Sequence, residues 1–362
     1  MAFDEDKIQA LLCGAESAGV FNRAVVGFIL PDGSRKILTL HTAEDSVFDI
    51  ASLTKVCPTS TLALDFILQG KLSVDTKVMD YIPELETSYR DDIRIFHLLT
   101  HSLDYRVPMK TLRELPPQEI LHALFTYQFA KAPGADFNYG NPASVLLGMI
   151  LNRLTGKSLQ ELGEETFFKP LQMNSSGWDP LTRAANAIAK EDIVPTEICS
   201  FRGREIQGEI HDESAWVLRQ LFPVGSAGMF STVPDLLRFV QTVLNDGVFE
   251  GKRIISSGVL NLVSHNAFEL PEYRAFTTAY EGTGACTALG WELNSSKFMG
   301  AKCSPRTFGK TGFTGASIVA DPQAGAAVVL LSNFTYPHRE PNADRIHAFR
   351  ATLADAFFAT CK

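Results

Sequence analysis

No apolar run in this chain approaches the eighteen or so residues of a membrane span, so a helical membrane protein is not expected. The opening residues Met1-Ala-Phe-Asp-Glu-Asp6 carry acid where a secretory leader carries base, and the expected compartment is cytoplasmic, or periplasmic or extracellular if a leader has been removed. Cys-x-x-Cys spacing is missing among the six cysteines (Cys13, Cys57, Cys199, Cys286, Cys303, Cys361), which argues for free thiols over a zinc site or a disulfide framework. Basic charge is scarce, with 33 Lys and Arg against 41 Asp and Glu, so a phosphate-tracking groove and a nucleic-acid partner are not expected. There is no repeat, low-complexity segment or inter-domain linker, and no Gly-x-Ser-x-Gly elbow; Gly282-Thr-Gly284 is too short for a nucleotide loop.

At 362 residues and 45% apolar content, the chain can bury a large core as one large domain or two coupled ones. Ile8, Leu11, Leu12 and Ala15 recur at helical spacing, predicting an amphipathic helix over 4–18. Segments 23–30 and 36–40 bracket Pro31-Asp32-Gly33-Ser34 as a hairpin. The other end mirrors this, with strands over 314–320 and 326–332 around Asp321-Pro-Gln-Ala-Gly325 and a closing helix over 342–361. The sequence therefore predicts an α/β sheet domain from 1–57 and 286–362, interrupted by a mainly helical insertion over 58–285. Helices are expected at 59–69, 93–100, 118–129, 143–154 and 234–245, and long loops at 196–215 and 264–288.

Chemistry enters with Ser52-Leu-Thr-Lys55. Alone it is weak, since a chain of this length should contain about one Ser-x-x-Lys by chance. It is followed in order by Tyr139-Gly-Asn141 and Lys310-Thr311-Gly312, so a nucleophile, two candidate bases and an anion contact occur in one chain. A serine hydroxyl needs a base to take its proton, and a lysine can act so only when burial or other cations hold it neutral. Three residues along a helix bring Lys55 onto the face of Ser52, and a helix beginning at Ser52 would present free N–H groups and a positive dipole end there.

These residues resemble the serine β-lactamase and penicillin-binding-protein superfamily, in its class C-like branch with D-alanyl carboxypeptidases and β-lactamase-like esterases. The likeness also takes in Gly70-Lys-Leu-Ser-Val-Asp75, His97-Leu-Leu-Thr-His101, 133–148, 225–232, Leu289-Gly-Trp291 and 309–315. It implies an α+β fold of the β-lactamase/transpeptidase type, a five-stranded antiparallel sheet flanked by helices plus an all-helical region, with the cleft between. By the same resemblance Ser52 is the acylated nucleophile and Lys55 its proton partner. Tyr139 is the second base or leaving-group acid, Asn141 orients substrate and Lys55, and Lys310 with Thr311 and Gly312 forms the electrostatic wall. The backbone N–H groups of Ser52 and Phe313 make the oxyanion hole. The implied activity is hydrolysis of an ester, β-lactam or D-alanyl peptide through an acyl-enzyme, without metal or cofactor, on a small-molecule or peptidyl substrate. The alternative is a penicillin-binding or sensing protein that acylates with little turnover.

Departures from that pattern are visible. Tyrosine replaces the class A serine of the second motif, and no Glu-x-x-Leu-Asn follows to supply a deacylating glutamate. Lysine at 310, where many esterase-like relatives carry histidine, tilts the expectation towards carboxylate-bearing substrates. Pro58, six residues after Ser52, predicts a kinked helix or locally absorbed strain. Plainer roles compete: Ser52 as a helix cap, Lys55 as a solvated lysine, Tyr139 as a packing residue, Lys310 as an exposed charge, and Asn141 as N-cap ahead of Pro142. His97 and His101 share a helix face and could ligate a metal, but Leu-Leu-Thr between them and the want of a third ligand favour packing.

Overall fold

The computed structural model describes residues 3–361 apart from 108, 184–185, 279 and 281–285. Asp4 accepts a hydrogen bond from the Lys7 amide (3.0 Å) and so caps the opening helix α1, Glu5–Ser17, whose acidic first turn suits the helix dipole. The expected hairpin follows as β1 (Ala24–Ile29) and β2 (Arg35–Leu40), closed by a turn in which Asp32 Oδ1 accepts from the Ser34 amide at 2.9 Å.

From the other end come β3 (Glu292–Leu293), β4 (Phe308–Thr311), β5 (Ser317–Asp321) and β6 (Ala326–Ser332). All pairings are antiparallel, in the order β2-β1-β6-β5-β4-β3. Four of these strands are those located from the sequence, β4 makes up the five that the resemblance implies, and β3 is a short sixth on the edge, with Glu292 opposite Gly309. The structure thus has the β-lactamase/transpeptidase-like α+β fold.

Helices cover both faces of the sheet. The closing helix α5 (Asp344–Phe358) joins α1 against Val26, Phe28, Val328 and Leu330. The alternate residues Val25, Val329 and Leu331 face the other way, onto Leu236, Leu237 and Val240 of α4 (Val233–Leu244). A strand buried on both sides reads as an unbroken apolar run, as β6 does. At Gly27 the sheet touches α4 so closely that a Cβ would sit 2.4 Å from Val233 Cγ1.

The remaining helices lie between these two ends of the chain. They include α2 (Thr61–Leu68) and α3 (Asn141–Thr155), the latter ended by Gly156 at φ +73°. Two expectations need correction. Segment 196–215 is no plain loop: it holds the strand pair Glu197–Cys199 with Arg204–Ile206 and the start of the helix Glu213–Leu218. Segment 264–288 contains the 3-10 turn Pro271–Phe276, while Gly282-Thr-Gly284 lies outside the described residues. No helix among the described residues is long and apolar enough to cross a membrane.

Pro58 explains a third difference. A 3-10 turn, Ala51–Lys55, carries the Ser-x-x-Lys pair, and the chain leaves helical geometry at Cys57 (φ −117°, ψ 101°) before α2 starts at Thr61. Ser52 therefore does not begin a long continuous helix, and the macrodipole expected there is reduced to the local amides of one turn.

Candidate active site

The segment before Ser52 is held from three directions. Buried Asp49 accepts from the amides of Ala51 and His211, both at 2.7 Å, and its own carbonyl accepts from Thr314 Oγ1 at 2.8 Å. Ala51 is thereby kept at φ +46°, a left-handed conformation that costs a non-glycine residue roughly 1–2 kcal/mol. At Gly312 a Cβ would lie 2.5 Å from the Ile50 carbonyl, so only glycine lets the exit of β4 press against the segment that leads into Ser52.

Lys55 is 2% exposed, which removes the solvated-lysine alternative. Its Nζ lies 2.9 Å from Ser52 Oγ and donates to two fixed carbonyl acceptors, Asn141 Oδ1 and Ser226 O, each at 2.8 Å. A neutral amine has two N–H bonds and one lone pair. The carbonyls can only accept, so whenever Lys55 is neutral they take both N–H bonds and the lone pair is left to face the Ser52 hydroxyl. Burial lowers the Lys55 pKa, with Lys310 adding to the effect, against the opposing influence of Tyr139 and Asp212.

Asn141 is oriented by a residue that sequence reading passed over. Asp212 caps the helix Glu213–Leu218 through Oδ1, which accepts from the Ala215 amide at 2.8 Å, while Oδ2 accepts from Asn141 Nδ2 at 2.9 Å. Burial would raise this carboxyl, but hydrogen bonds from Ser214 and Ala215 and the nearby Lys55 hold it below its usual range. Asn141 is thus not the N-cap expected; Gly140 takes that position, and the amide of Asn141 spans Lys55 and Asp212.

Tyr139 sits between the two lysines, its ring centroid 4.0 Å from Lys310 Nζ and 5.2 Å from Lys55 Nζ. Burial would raise its phenol, yet Lys310, then Lys55 and a hydrogen bond with Ser52 outweigh this and hold it low. Because Tyr139 is 42% exposed, the two cations rather than burial decide the direction. His101 packs against the same ring, centroids 4.9 Å apart, and burial, with Lys310 and Lys55 nearby, lowers its imidazole well below the usual range.

Lys310 on β4 is also 2% exposed, so it is no surface charge. Its ammonium contacts Glu292 Oε1 on β3, a partner not foreseen from the sequence. Burial alone would lower this lysine, and Glu292 with Tyr139 more than reverses that. Thr311 ends β4, half-buried. Gly312 serves the turn, its amide donating to Ala316 O (2.7 Å) and its carbonyl accepting from buried Arg350 of α5 (2.8 Å).

A cleft of about 220 Å³ opens on Ser52, bordered by Asn141, His211, Asp212, Phe313 and Arg339. Among the described residues no backbone oxygen accepts from the amides of Ser52 or Phe313. The fold therefore brings Ser52, Lys55, Tyr139, Asn141 and Lys310 together and sets Phe313 on the same cleft. His97 stays outside: its Nδ1 accepts from the Arg94 amide (3.0 Å), Nε2 bonds the Phe276 carbonyl (3.2 Å), and burial lowers its pKa to about 4. Both ring nitrogens are spent on backbone, which answers the metal-pair alternative through the histidine itself.

The chain is 28% identical over 331 residues to a "Putative D-alanyl-D-alanine carboxypeptidase" of Escherichia coli (strain K12), covering 82% of this chain and 72% of the relative. It is 27% identical over 328 residues to an "N-acetylmuramyl-L-alanine amidase" of Bacillus subtilis (strain 168), covering 82% and 71%. In fold it is similar to a class C β-lactamase (TM-score 0.72, 20% identity, 98% of this chain and 97% of the other). It is also similar to EstCE1, a hydrolase with promiscuous acyltransferase activity (TM-score 0.70, 22% identity, 98% of each chain). Residues 27–353 match the family described as Beta-lactamase, a span of most of the chain, and the protein belongs to the β-lactamase family.

Proposed function

We propose that Ser52 is the residue through which this serine hydrolase of the β-lactamase family is acylated and deacylated. The observation that carries the reading is the placement of Lys55 Nζ, 2.9 Å from Ser52 Oγ and bonded to the carbonyl oxygens of Asn141 and Ser226. Lys55, or the Tyr139 phenolate beside it, takes the Ser52 proton as Oγ bonds to the carbonyl carbon of an ester, β-lactam or D-alanyl peptide. The carbonyl π electrons move to oxygen, and the resulting oxyanion is received by the amides of Ser52 and Phe313; losing one such donor typically costs about 3 kcal/mol.

Collapse of the intermediate breaks the bond to the leaving group, which receives its proton from Tyr139 or Lys55. Water then attacks the acyl-serine, giving its proton to the same pair, and Ser52 is restored. Asn141 is assigned the substrate amide as well as Lys55, and Lys310, Thr311 and Gly312 the electrostatic wall opposite. On this reading the sheet unit, 1–57 with 286–362, and the helical insertion, 58–285, meet at the cleft, with α4 of the insertion covering the second face of the sheet.

The test is a parallel measurement on a short-chain nitrophenyl ester, a chromogenic cephalosporin and a D-Ala-D-Ala peptide, with mass spectrometry after incubation with a penicillin. Ser52→Ala is expected to abolish the covalent adduct and lower turnover by at least about a thousandfold. Undiminished turnover in Ser52→Ala would remove the assignment. A lasting adduct without turnover would make the protein a penicillin binder instead.

A further inference from the structure

We propose that Asp212 is a positioning residue for acylation: by fixing which end of the Asn141 amide meets Lys55, its carboxylate keeps the lone pair of the neutral amine on Ser52. The proposal rests on the roles of Ser52 and Lys55 given above. A side-chain amide has an accepting end and a donating end of nearly the same shape, and its neighbours decide which way it lies. At Asn141 those neighbours are Lys55 Nζ, 2.8 Å from Oδ1, and Asp212 Oδ2, 2.9 Å from Nδ2.

The two do not hold the amide equally. A protonated Lys55 has only N–H bonds to offer and demands the oxygen. A neutral Lys55 can accept as well as donate, so a turned Asn141 could give an N–H to the lone pair and draw it off Ser52 Oγ, 2.9 Å away. Lys55 therefore ceases to hold the amide in the one state in which it can take the serine proton. Asp212 does not: burial would raise its carboxyl, but Ser214, Ala215 and Lys55 hold it below its usual range, and an ionised carboxylate can only accept. Turning the amide would set Asn141 Oδ1 against Asp212 Oδ2, two acceptors at hydrogen-bond distance with no proton between them. The Ser226 carbonyl, 2.8 Å from Lys55 Nζ, has no proton to give either, which leaves the Ser52 hydroxyl as the donor that the lone pair meets.

Asp212 is itself held in place. Its Oδ1 accepts from Ser214 Oγ at 2.6 Å and from the Ala215 amide at 2.8 Å, which leaves Oδ2 for Asn141. The residue before it, His211, gives its amide to Asp49 Oδ2 at 2.7 Å, and Asp49 Oδ1 accepts the amide of Ala51 at the same distance. One buried carboxylate thus ties the residue before Ser52 to the residue before Asp212. From there the series Asp212, Asn141, Lys55 returns to Ser52 through hydrogen bonds of 2.8 to 2.9 Å.

The experiment compares Asp212→Asn with Asp212→Ser, read as the burst of nitrophenolate on mixing with p-nitrophenyl acetate, an ester that has no amide for Asn141 to bind. Asparagine is the closer copy in shape and keeps an oxygen for the Ala215 amide. Its Nδ2 must then face Asn141, which is driven to present its oxygen there and an N–H to Lys55. Serine keeps a helix cap but is too short to reach Asn141, so the amide is left free to lie either way. The burst rate at saturating ester is therefore expected to fall about a hundredfold in Asp212→Asn and about tenfold in Asp212→Ser, with the half-saturating ester concentration within about threefold of native. A role in capping the helix alone predicts equal losses or the opposite order.

An Asp212→Asn burst no slower than that of Asp212→Ser would overturn the proposal. Should Asp212→Asn fail to fold, Asp212→Ser decides by itself, since an undiminished burst there would overturn the proposal too. A burst that survives Ser52→Ala would instead overturn the nucleophile assignment, which separates the two failures.

Discussion

Two lysines of equal burial, 2% exposed each, stand on opposite walls of the cleft and are driven in opposite directions. On the helical wall Lys55 meets two carbonyls and a hydroxyl, and its nearest carboxylate, Asp212, is reached through Asn141; burial prevails and its pKa falls. On the sheet wall Lys310 touches Glu292 directly, which defeats the same burial, and its pKa rises. The difference shows that burial alone does not make a lysine basic enough to leave or keep its proton; the charge of the first oxygen it meets decides. One wall thus holds the lysine whose pKa is lowered and the other the lysine whose pKa is raised, with the Tyr139 ring between them.

The sharpest way to break this contrast is to make both walls permanently cationic. Lys55→Arg is expected to slow acylation about a thousandfold, measured as the single-turnover rate of adduct formation, because guanidinium offers no lone pair at neutral pH. Tyr139→Phe should follow with about a hundredfold loss in kcat/KM, and near-native rates would deny the phenol any part in proton transfer. Removing the sheet-wall charge tests the other half: Lys310→Met takes away the largest influence lowering the Tyr139 phenol. A base must be unprotonated to act, so activity is present above its pKa and lost as pH falls through it. The acidic limb of the kcat/KM profile should therefore move to higher pH in Lys310→Met, with a loss on the order of tenfold at pH 7.

The smallest effect lies outside both walls, in stability. His97 is an imidazole lowered from 6.5 to about 4 by burial, so the unfolded chain takes up the proton first and stability falls as pH drops from 6.5 towards 4. Glu197 has the depressed carboxyl: burial opposes, but His211 and Arg339 hold it at about 2, and its contribution is present above 4.5 and lost between 4.5 and about 2. Thermal midpoints measured across this range should decline in both windows, and Glu197→Gln should flatten the lower one only.

What could be read from the sequence follows distance along the chain. Alternating strands, turn residues and helical periods are local signals, and they located the hairpin, the first and last helices described and the five helices expected between 59 and 245. The three site motifs were legible because each holds its residues within three positions of one another, and the fold only had to bring the motifs together. Asp212 and Glu292 were not, since each acts on a residue of another segment and neither sits in a motif. Asp212 left one trace, as the acid opening Asp212-Glu-Ser-Ala215 in the manner of a helix cap. Pro58 was seen, but where the chain would bend, and so how little helix stands behind Ser52, depended on packing around Cys57.

Arg350 ties the last helix to chemistry begun some three hundred residues earlier. Its guanidinium, enclosed on α5, grips the carbonyls of Gly312 and Ala316, both at 2.8 Å, and so braces the turn that presents Phe313 to the cleft. During synthesis that brace is made well after Ser52 and Lys55. Competence of the cleft is accordingly expected to wait until this helix docks, and a translation product halted before Asp344 should fold its early elements yet remain catalytically silent.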